Sequence, residues 1–427
     1  MSAQRIAVAS FIGTAIEFYD FYIYGTAAAL VFNTLFFPNL SPVFGTLAAL
    51  ATFGVGFVAR PVGAVAFGHF GDRVGRKATL VVSLLMMGVG TVVIGVLPTH
   101  ETAGVLAPVL LVLCRFVQGF GLGGEWGGAV LMATEHAPAG RRGLYSSFPQ
   151  IGPAVGFVVA SGFFLVLSAG LSDAQFAAWG WRVPFLASAL LVVVGLWIRV
   201  RIAESPVFEQ AAQERESAKA PLIEVVTRQP RSLLLATGGM VVTYMLFYAV
   251  TTFGLSFGTG RLGLSRTMLL VAAMISAVVM GIATPILAAW SDRLGRRRVC
   301  LWFCALAVAW AFPLFRLLET GNPVLITLAF SVAMVAFAGV FAPMGAFLPE
   351  LFATRYRYTG ASIGYNVAGI VGGGIVPPLA TSLVAATGSS TPVSLLVAGL
   401  ALVSLLCVWA LPETSSTDLT DGDAFTR

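Results

Sequence analysis

Long apolar stretches separated by short polar breaks run through almost the whole chain of 427 residues. Hydrophobic residues make up 58% of the sequence and charged residues only 10%, whereas about a quarter of the residues in a soluble domain are charged. This composition excludes an ordinary soluble enzyme and favours a lipid bilayer as the surrounding medium. A spanning helix needs about 20 apolar residues, and twelve stretches qualify: 6–32, 46–68, 78–97, 105–134, 145–168, 183–201, 233–257, 267–289, 299–318, 323–348, 361–385 and 392–411.

The sequence therefore predicts an all-α membrane protein with twelve transmembrane helices. The longest polar interruption lies near the middle of the chain and divides it into two halves of six helices each. We expect an N-terminal six-helix bundle at 1–201, a cytoplasmic linker at 202–232, a C-terminal six-helix bundle at 233–411 and a short cytoplasmic tail at 412–427.

The positions of the basic residues predict the orientation in the membrane. With the N-terminus inside, 19 of the 25 Lys and Arg residues fall on the cytoplasmic side, as the positive-inside rule requires. Both termini are thus expected in the cytoplasm, and the net charge of +6 needs no nucleic-acid partner. The cysteines lie within apolar stretches and predict buried free thiols, with neither a disulfide framework nor a metal site: Cys114, Cys300, Cys304 and Cys407.

A charged motif occurs once in each half. The stretch from Asp72 to Lys77 reads Asp-Arg-Val-Gly-Arg-Lys, and the stretch from Asp292 to Arg297 reads Asp-Arg-Leu-Gly-Arg-Arg. The two aspartates are 220 residues apart, and each motif follows the second span of its half. The repeat indicates a parallel duplication of a six-helix unit, as in transporters whose halves rock around a central site.

At these residues the sequence resembles the major facilitator superfamily, and further motifs resemble its metabolite:proton symporter branch, closest to shikimate-transporter-like members. The motifs are Glu17–Tyr22 in span 1, Ala59–Gly63 in span 2, Arg115–Gly119 and Gly123–Gly128 in span 4, Trp181–Phe185 at span 6, Glu204–Phe208 after it, and Arg357–Gly360 before span 11. The resemblance covers the chain to about Pro412. It implies two pseudo-symmetric bundles of the major facilitator fold in the plasma (inner) membrane of a prokaryote.

The resemblance also implies a secondary active transporter rather than an enzyme. We expect a monomeric proton-coupled symporter that imports a small organic acid or related polar metabolite by alternating access, with the proton as coupling ion and no other cofactor. A proton antiporter that exports drugs or metabolites, and a sensor that keeps the transport fold, are the alternatives.

Charged residues inside the predicted spans are the best candidates for chemistry, because buried charges in a membrane are costly and usually functional. The five that lie away from the span ends are all in the first half: Glu17, Asp20, Arg60, Arg115 and Glu125. Glu17 and Asp20 are three residues apart and are expected to share a helix face. Two close carboxylates disfavour double ionisation, so one of them is predicted to carry the proton. The alternative is that either acid only pairs with a neighbouring arginine.

Polar side chains predict the substrate contacts. Arg115, Gln118 and Glu125 follow one stripe of span 4, and the planar fork of an arginine suits a carboxylate, although Arg115 could instead form an ion pair with Asp20 or Glu125. Aromatic residues of the second half could line the cavity or pack between helices. His69 could shuttle protons or only hold its turn, and the charged turns are predicted to form a conformational latch.

The predicted site residues fall into four groups. Proton coupling is predicted for Glu17, Asp20 and Glu125. Substrate binding is predicted for Arg115, Gln118, Gln150, Tyr244, Tyr248, Tyr365 and Asn366. The latch is predicted to consist of Asp72, Arg73, Arg76, Asp292, Arg293 and Arg296, and further buried charge is predicted at Arg60 and His69.

Overall fold

A computed structural model describes the backbone of residues 3–74, 76–123, 125–135, 137–138, 140–201, 221–353 and 357–415. Every regular element in this part of the chain is a helix. Twelve long helices follow the twelve predicted spans, and we number them α1 to α12. Within the described residues, ten helices are long and apolar enough to cross a membrane, and a shorter apolar helical run covers Val81–Val96.

The first half contains α1 to α6. Their bounds are Ala3–Leu30 for α1, Pro42–Val74 for α2, Arg76–Val96 for α3, Leu106–Leu122 and Glu125–Glu135 for α4, Arg142–Gly170 for α5 and Val183–Arg201 for α6. Shorter helices cover Phe32–Phe36, His100–Ala103, Asp173–Ala178 and Gly180–Arg182.

The second half contains α7 to α12. Their bounds are Pro230–Gly260 for α7, Arg266–Leu294 for α8, Arg296–Glu319 for α9, Pro323–Glu350 for α10, Arg357–Thr387 for α11 and Thr391–Ala410 for α12. A short helix, Pro221–Arg228, precedes α7 within the predicted linker. Residues 202–220 of that linker and 416–427 of the predicted tail lie outside the description.

Three long helices are less regular than the sequence predicted. α4 is interrupted after Leu122, and π-helical turns interrupt α7 at Ala249–Phe253 and α11 at Ile370–Ile375. The break in α4 lies where this helix packs tightly on α2, since a Cβ atom on Gly123 would lie 2.0 Å from the carbonyl oxygen of Arg60. Only glycine allows two helices to approach so closely.

The two halves pack against each other along several helix pairs. α5 contacts α8 and α10, α2 contacts α11, α1 contacts α7, and α4 contacts α11. These contacts enclose the region between the halves, and the first half has five buried charged residues among the side chains that the structure describes: Glu17, Asp20, Arg60, Arg115 and Glu125.

Candidate functional site

A small cavity lies between the two halves. Its lining residues are Thr14, Glu17, Phe18, Arg60, Leu122 and Trp126 from the first half and Tyr365 and Asn366 from the second. The free space is enough for about one water molecule. The cavity therefore brings together three predicted site residues, Glu17, Tyr365 and Asn366, and the buried charge of Arg60 in a closed arrangement of the halves.

Arg60 provides the positive charge of this cavity and is only 1% exposed. Its guanidinium carbon lies 4.2 Å from the centre of the Phe21 ring and 4.8 Å from that of Phe57, at distances typical of cation–π contacts. Its Nε and Nη2 atoms are buried and have no hydrogen-bond partner. Arg60 therefore holds unused donors next to the cavity.

The α4 segment after the break meets α11 at the cavity. The Trp126 and Tyr365 rings stack with centroids 3.8 Å apart and planes 2° apart. Asn366 Nδ2 donates to the carbonyl oxygens of Gly123 at 3.0 Å and Ser362 at 2.9 Å. Asn366 thus satisfies the backbone carbonyl next to the break in α4, so part of its predicted substrate-binding capacity is used in joining the halves.

Glu17 and Asp20 face different surroundings, although the sequence predicted one shared face. Glu17 lines the cavity, whereas Asp20 is 0% exposed and accepts a hydrogen bond from Ser188 of α6. The second Asp20 oxygen, Oδ2, is buried without a hydrogen-bond partner. Side chains three residues apart on a helix differ by about 60° around its axis, and the neighbours of α1 are different on the two sides.

Arg115 and Gln118 join a second polar group outside the cavity lining. Arg115 Nη1 donates to Gln118 Oε1 at 3.2 Å, and Gln118 Nε2 donates to Thr91 Oγ1 at 2.7 Å. The Thr91 hydroxyl also lies next to the Asp20 carboxyl group. Arg115 is 0% exposed, with Nε and Nη2 unpaired. Arg115 is thus connected through Gln118 to the hydroxyl group that lies beside the predicted proton-coupling acid Asp20.

Aromatic rings fill most of the space around Arg115 and the predicted substrate-binding tyrosines. The Arg115 guanidinium carbon lies 3.9 Å from the centre of the Phe21 ring, the ring that also contacts Arg60. Tyr248 packs on Phe21 and Phe53, with ring centres 6.4 and 5.2 Å away. Tyr244 packs on Tyr365 at 5.1 Å. In this closed arrangement, Tyr244 and Tyr248 pack between helices and do not line the cavity.

Gln150 and Glu125 complete the predicted set in the membrane region. Gln150 Nε2 donates to the carbonyl oxygens of Ala342 on α10 at 3.1 Å and Ser146 on its own helix at 3.2 Å. It therefore bridges the halves away from the cavity lining. Glu125 is buried at the start of the second α4 segment, beside the cavity residue Trp126.

The second charged motif forms a buried network between the halves. Asp292 accepts hydrogen bonds from the backbone N–H groups of Gly143 and Leu144 at 2.8 and 2.9 Å, at the start of α5. Arg296 Nη1 lies 2.6 Å from Asp292 Oδ1, and Arg296 Nε lies 3.4 Å from Glu350 Oε2. These contacts join α5 of the first half to α8, α9 and α10 of the second.

A glycine makes the turn of this motif possible. Gly295 has a φ of 99° between α8 and α9, a conformation that residues with a side chain rarely adopt. Arg293 of the same turn is exposed. The side chains of the first motif and its neighbour lie outside the described part of the chain: His69, Asp72, Arg73 and Arg76.

Sequence reasoning missed Trp126, Ser188 and Thr91. Trp126 belongs to the motif that pointed to Glu125, but its ring was not singled out. Ser188 has the one hydroxyl side chain among residues 183–201. An isolated hydroxyl group in an apolar span indicates a buried polar partner, so the sequence does contain a sign of this contact. All four cysteines are free thiols in the structure; Cys300 and Cys304 are buried as predicted, whereas Cys114 and Cys407 are only partly buried.

Comparison with known proteins gives consistent matches over nearly the whole chain. The sequence profile of the Major Facilitator Superfamily matches residues 10–372 and 260–425. The inner membrane metabolite transport protein YhjE of Escherichia coli K12 is 49% identical over 424 residues, which cover 98% of this chain and 96% of that protein. The shikimate transporter of the same strain is 42% identical over 385 residues, or 90% of this chain and 88% of that protein.

A solved structure supports the fold independently. The partially occluded inward open conformation of the xylose transporter XylE from Escherichia coli superimposes with a TM-score of 0.75 at 18% sequence identity. The match covers 98% of this chain and 99% of the XylE chain. The predicted helical membrane fold is confirmed.

Proposed function

Because this chain belongs to the Major Facilitator Superfamily and is a metabolite transporter rather than an enzyme, we propose that it is a proton-coupled symporter that imports a small organic acid by alternating access. It would act as a monomer in the inner membrane of a prokaryote, with both termini in the cytoplasm. The shikimate transporter among its relatives supports a cyclic carboxylic acid as the substrate class.

The surroundings of Asp20 are the observation that carries the proton assignment. Within the described residues, no Lys or Arg forms an ion pair with this buried carboxyl group, and its Oδ2 atom has no hydrogen-bond partner. A carboxyl group without a cation against it can take up a proton without breaking an ion pair. The nearby Thr91–Gln118–Arg115 chain offers a route by which its charge can affect Arg115.

Transport by the purified protein in proteoliposomes tests this proposal. Shikimate, benzoate, succinate and proline would be offered with and without an inward proton gradient, and uptake of the labelled compound would be measured, because a monoanion carried with one proton moves no net charge. We expect a proton-driven accumulation of at least one of the acids. Accumulation only against the opposite gradient would identify an antiporter, and the absence of flux for every compound would favour a sensor.

Asp20→Asn separates coupling from binding. The amide keeps the shape of the side chain but cannot carry the proton, so we expect uphill accumulation to fall to the background while exchange of internal for external substrate continues. Asp173→Asn is the matched control, because the Asp173 side chain is exposed and pairs with Arg266 at 3.7 Å at the surface. Uphill accumulation by Asp20→Asn at the wild-type level would refute the assignment.

A further inference from the structure

Three hydrogen-bond donors without acceptors belong to side chains that line the central cavity. They are Nε and Nη2 of Arg60 and Nε1 of Trp126. Arg60 is 1% and Trp126 is 7% exposed, so bulk water does not satisfy these groups. Arginine and tryptophan side chains can only donate hydrogen bonds. The cavity therefore offers an unfilled position for a hydrogen-bond acceptor, and buried donors rarely remain unpaired without a reason.

A carboxylate is the acceptor that suits this set of donors. Adjacent guanidinium nitrogens bind the two oxygens of a carboxylate side by side, and such charge-assisted pairs are stronger than neutral hydrogen bonds. The indole N–H of Trp126 can donate a further bond to one of the oxygens. We propose that Arg60 and Trp126 bind the carboxylate of the transported acid, an inference that rests on the proposed function.

This assignment differs from the sequence prediction that Arg115 binds the substrate. Arg115 has the same two unpaired atoms, but it is not among the residues that line the cavity. The rings of Phe21, Tyr24 and Phe53 cover its guanidinium group, with centroids 3.9, 4.3 and 4.8 Å from Cζ. Arg60 is next to free space shared by both halves, so a bound substrate would contact both of them.

The remaining charge in the cavity agrees with co-transport. Glu17 and Tyr365 are the other ionisable residues of the lining. An ionised Glu17 would repel a substrate carboxylate at Arg60, so the anion is expected to bind together with one proton. The present space holds about one water molecule, so the halves must separate before the ring of an organic acid can enter.

Binding to the purified transporter in detergent tests the proposal by isothermal calorimetry. The probes are shikimate and benzoate, each paired with its methyl ester, which lacks the negative charge. We expect the wild-type protein to bind an acid about 10- to 100-fold more tightly than its ester, as the loss of hydrogen bonds to a charged group predicts. Arg60→Gln should bind the acid and the ester equally weakly.

Trp126→Phe provides a milder test with a matched control. It keeps the aromatic ring on Tyr365 and removes one donor, so the affinity for the acid should fall by about 3- to 10-fold while the affinity for the ester changes little. Trp181→Phe is the control, since Trp181 is fully buried and its Nε1 is also unpaired, but it lies outside the cavity lining. Should Arg60→Gln fail to fold, Trp126→Phe and Arg60→Lys answer the same question.

The outcomes separate this inference from the proposed function. Two results would overturn the binding assignment alone. One is that the wild-type protein binds an acid and Arg60→Gln keeps the same preference for the acid over its ester. The other is that Trp126→Phe and Trp181→Phe lower the affinity for the acid equally. Binding of proline but of none of the other acids would refute the proposed substrate class. The carboxylate site would then be tested with proline and its methyl ester, and it would fall if Arg60→Gln left the preference for proline over the ester unchanged.

Discussion

Arg115 in the membrane region and Arg296 at the α8–α9 turn are both buried arginines, with 0% and 2% of their surfaces exposed. Their surroundings differ. Arg296 pairs with Asp292 and Glu350 and also donates to Ser291 at 2.9 Å. Arg115 has one side-chain hydrogen bond, to Gln118, and otherwise contacts aromatic rings. Arg296 belongs to a network of opposite charges, whereas Arg115 has two nitrogen atoms, Nε and Nη2, without a hydrogen-bond acceptor.

The difference indicates two tasks for buried charge in one molecule. A fully paired arginine holds its neighbours in one arrangement, because removing either partner leaves a buried charge uncompensated. An incompletely paired arginine can change partners during a transport cycle at a lower cost. We therefore interpret the Arg296 network as the predicted latch between the halves, and the central region as the part that exchanges protons and substrate.

Arg296→Met should have the largest effect on stability. It removes the cation from Asp292 and Glu350, and breaking a buried pair in this way costs about 3–5 kcal/mol. We expect a marked fall in the apparent unfolding temperature in detergent, measured with a thiol-reactive dye because Cys300 and Cys304 are buried. Arg316→Met is the control, because its pair with Glu319 is exposed. Equal unfolding temperatures for the two variants would contradict the latch interpretation.

Arg115→Met should cost less stability than Arg296→Met. Among the described residues no carboxylate pairs with Arg115, so the variant leaves only the Gln118 acceptor unsatisfied, at roughly 2 kcal/mol. The same dye measurement checks this order, and uptake into proteoliposomes should show that proton-driven accumulation is lost. If Arg115→Met unfolded at as low a temperature as Arg296→Met, Arg115 would have to compensate a buried negative charge as Arg296 does. The contrast between the two arginines would then be wrong.

The helices could be predicted from the sequence because the bilayer sets their length and composition. The structure has a long helix at each predicted span, with ends that differ by a few residues, such as α7 beginning at Pro230. The break in α4 and the π-helical turns in α7 and α11 could not be predicted, because the apolar pattern of each span continues through them. Gly123 is one glycine among 47, and Gly119 of the same helix approaches α2 just as closely without a break.

The buried charged residues of the central region could be named from the sequence, but their arrangement could not. Helical spacing placed Glu17 and Asp20 together, yet their neighbours differ, because α6 contributes Ser188 on one side and the cavity lies on the other. Hydropathy identified Arg60 as a buried charge without indicating what it faces. Which charge meets the cavity is decided by contacts between distant parts of the chain, and a single sequence does not contain that information.

Thr414→Val should have the smallest effect and tests how far the paired network extends. Thr414 Oγ1 donates to Glu350 Oε2 at 2.6 Å, so the residues after α12 also bind the carboxylate that Arg296 pairs with. Valine keeps the shape but loses this hydrogen bond, which costs about 1 kcal/mol because Arg296 still compensates the charge. We expect a small fall in the unfolding temperature relative to Thr227→Val, whose side chain is exposed and donates only to backbone carbonyl oxygens of its own short helix. A fall as large as that of Arg296→Met would show that the contact with Thr414, rather than the ion pair with Arg296, holds Glu350 in place. Arg296 would then not stabilise the network by its charge, and the contrast with Arg115 would be wrong.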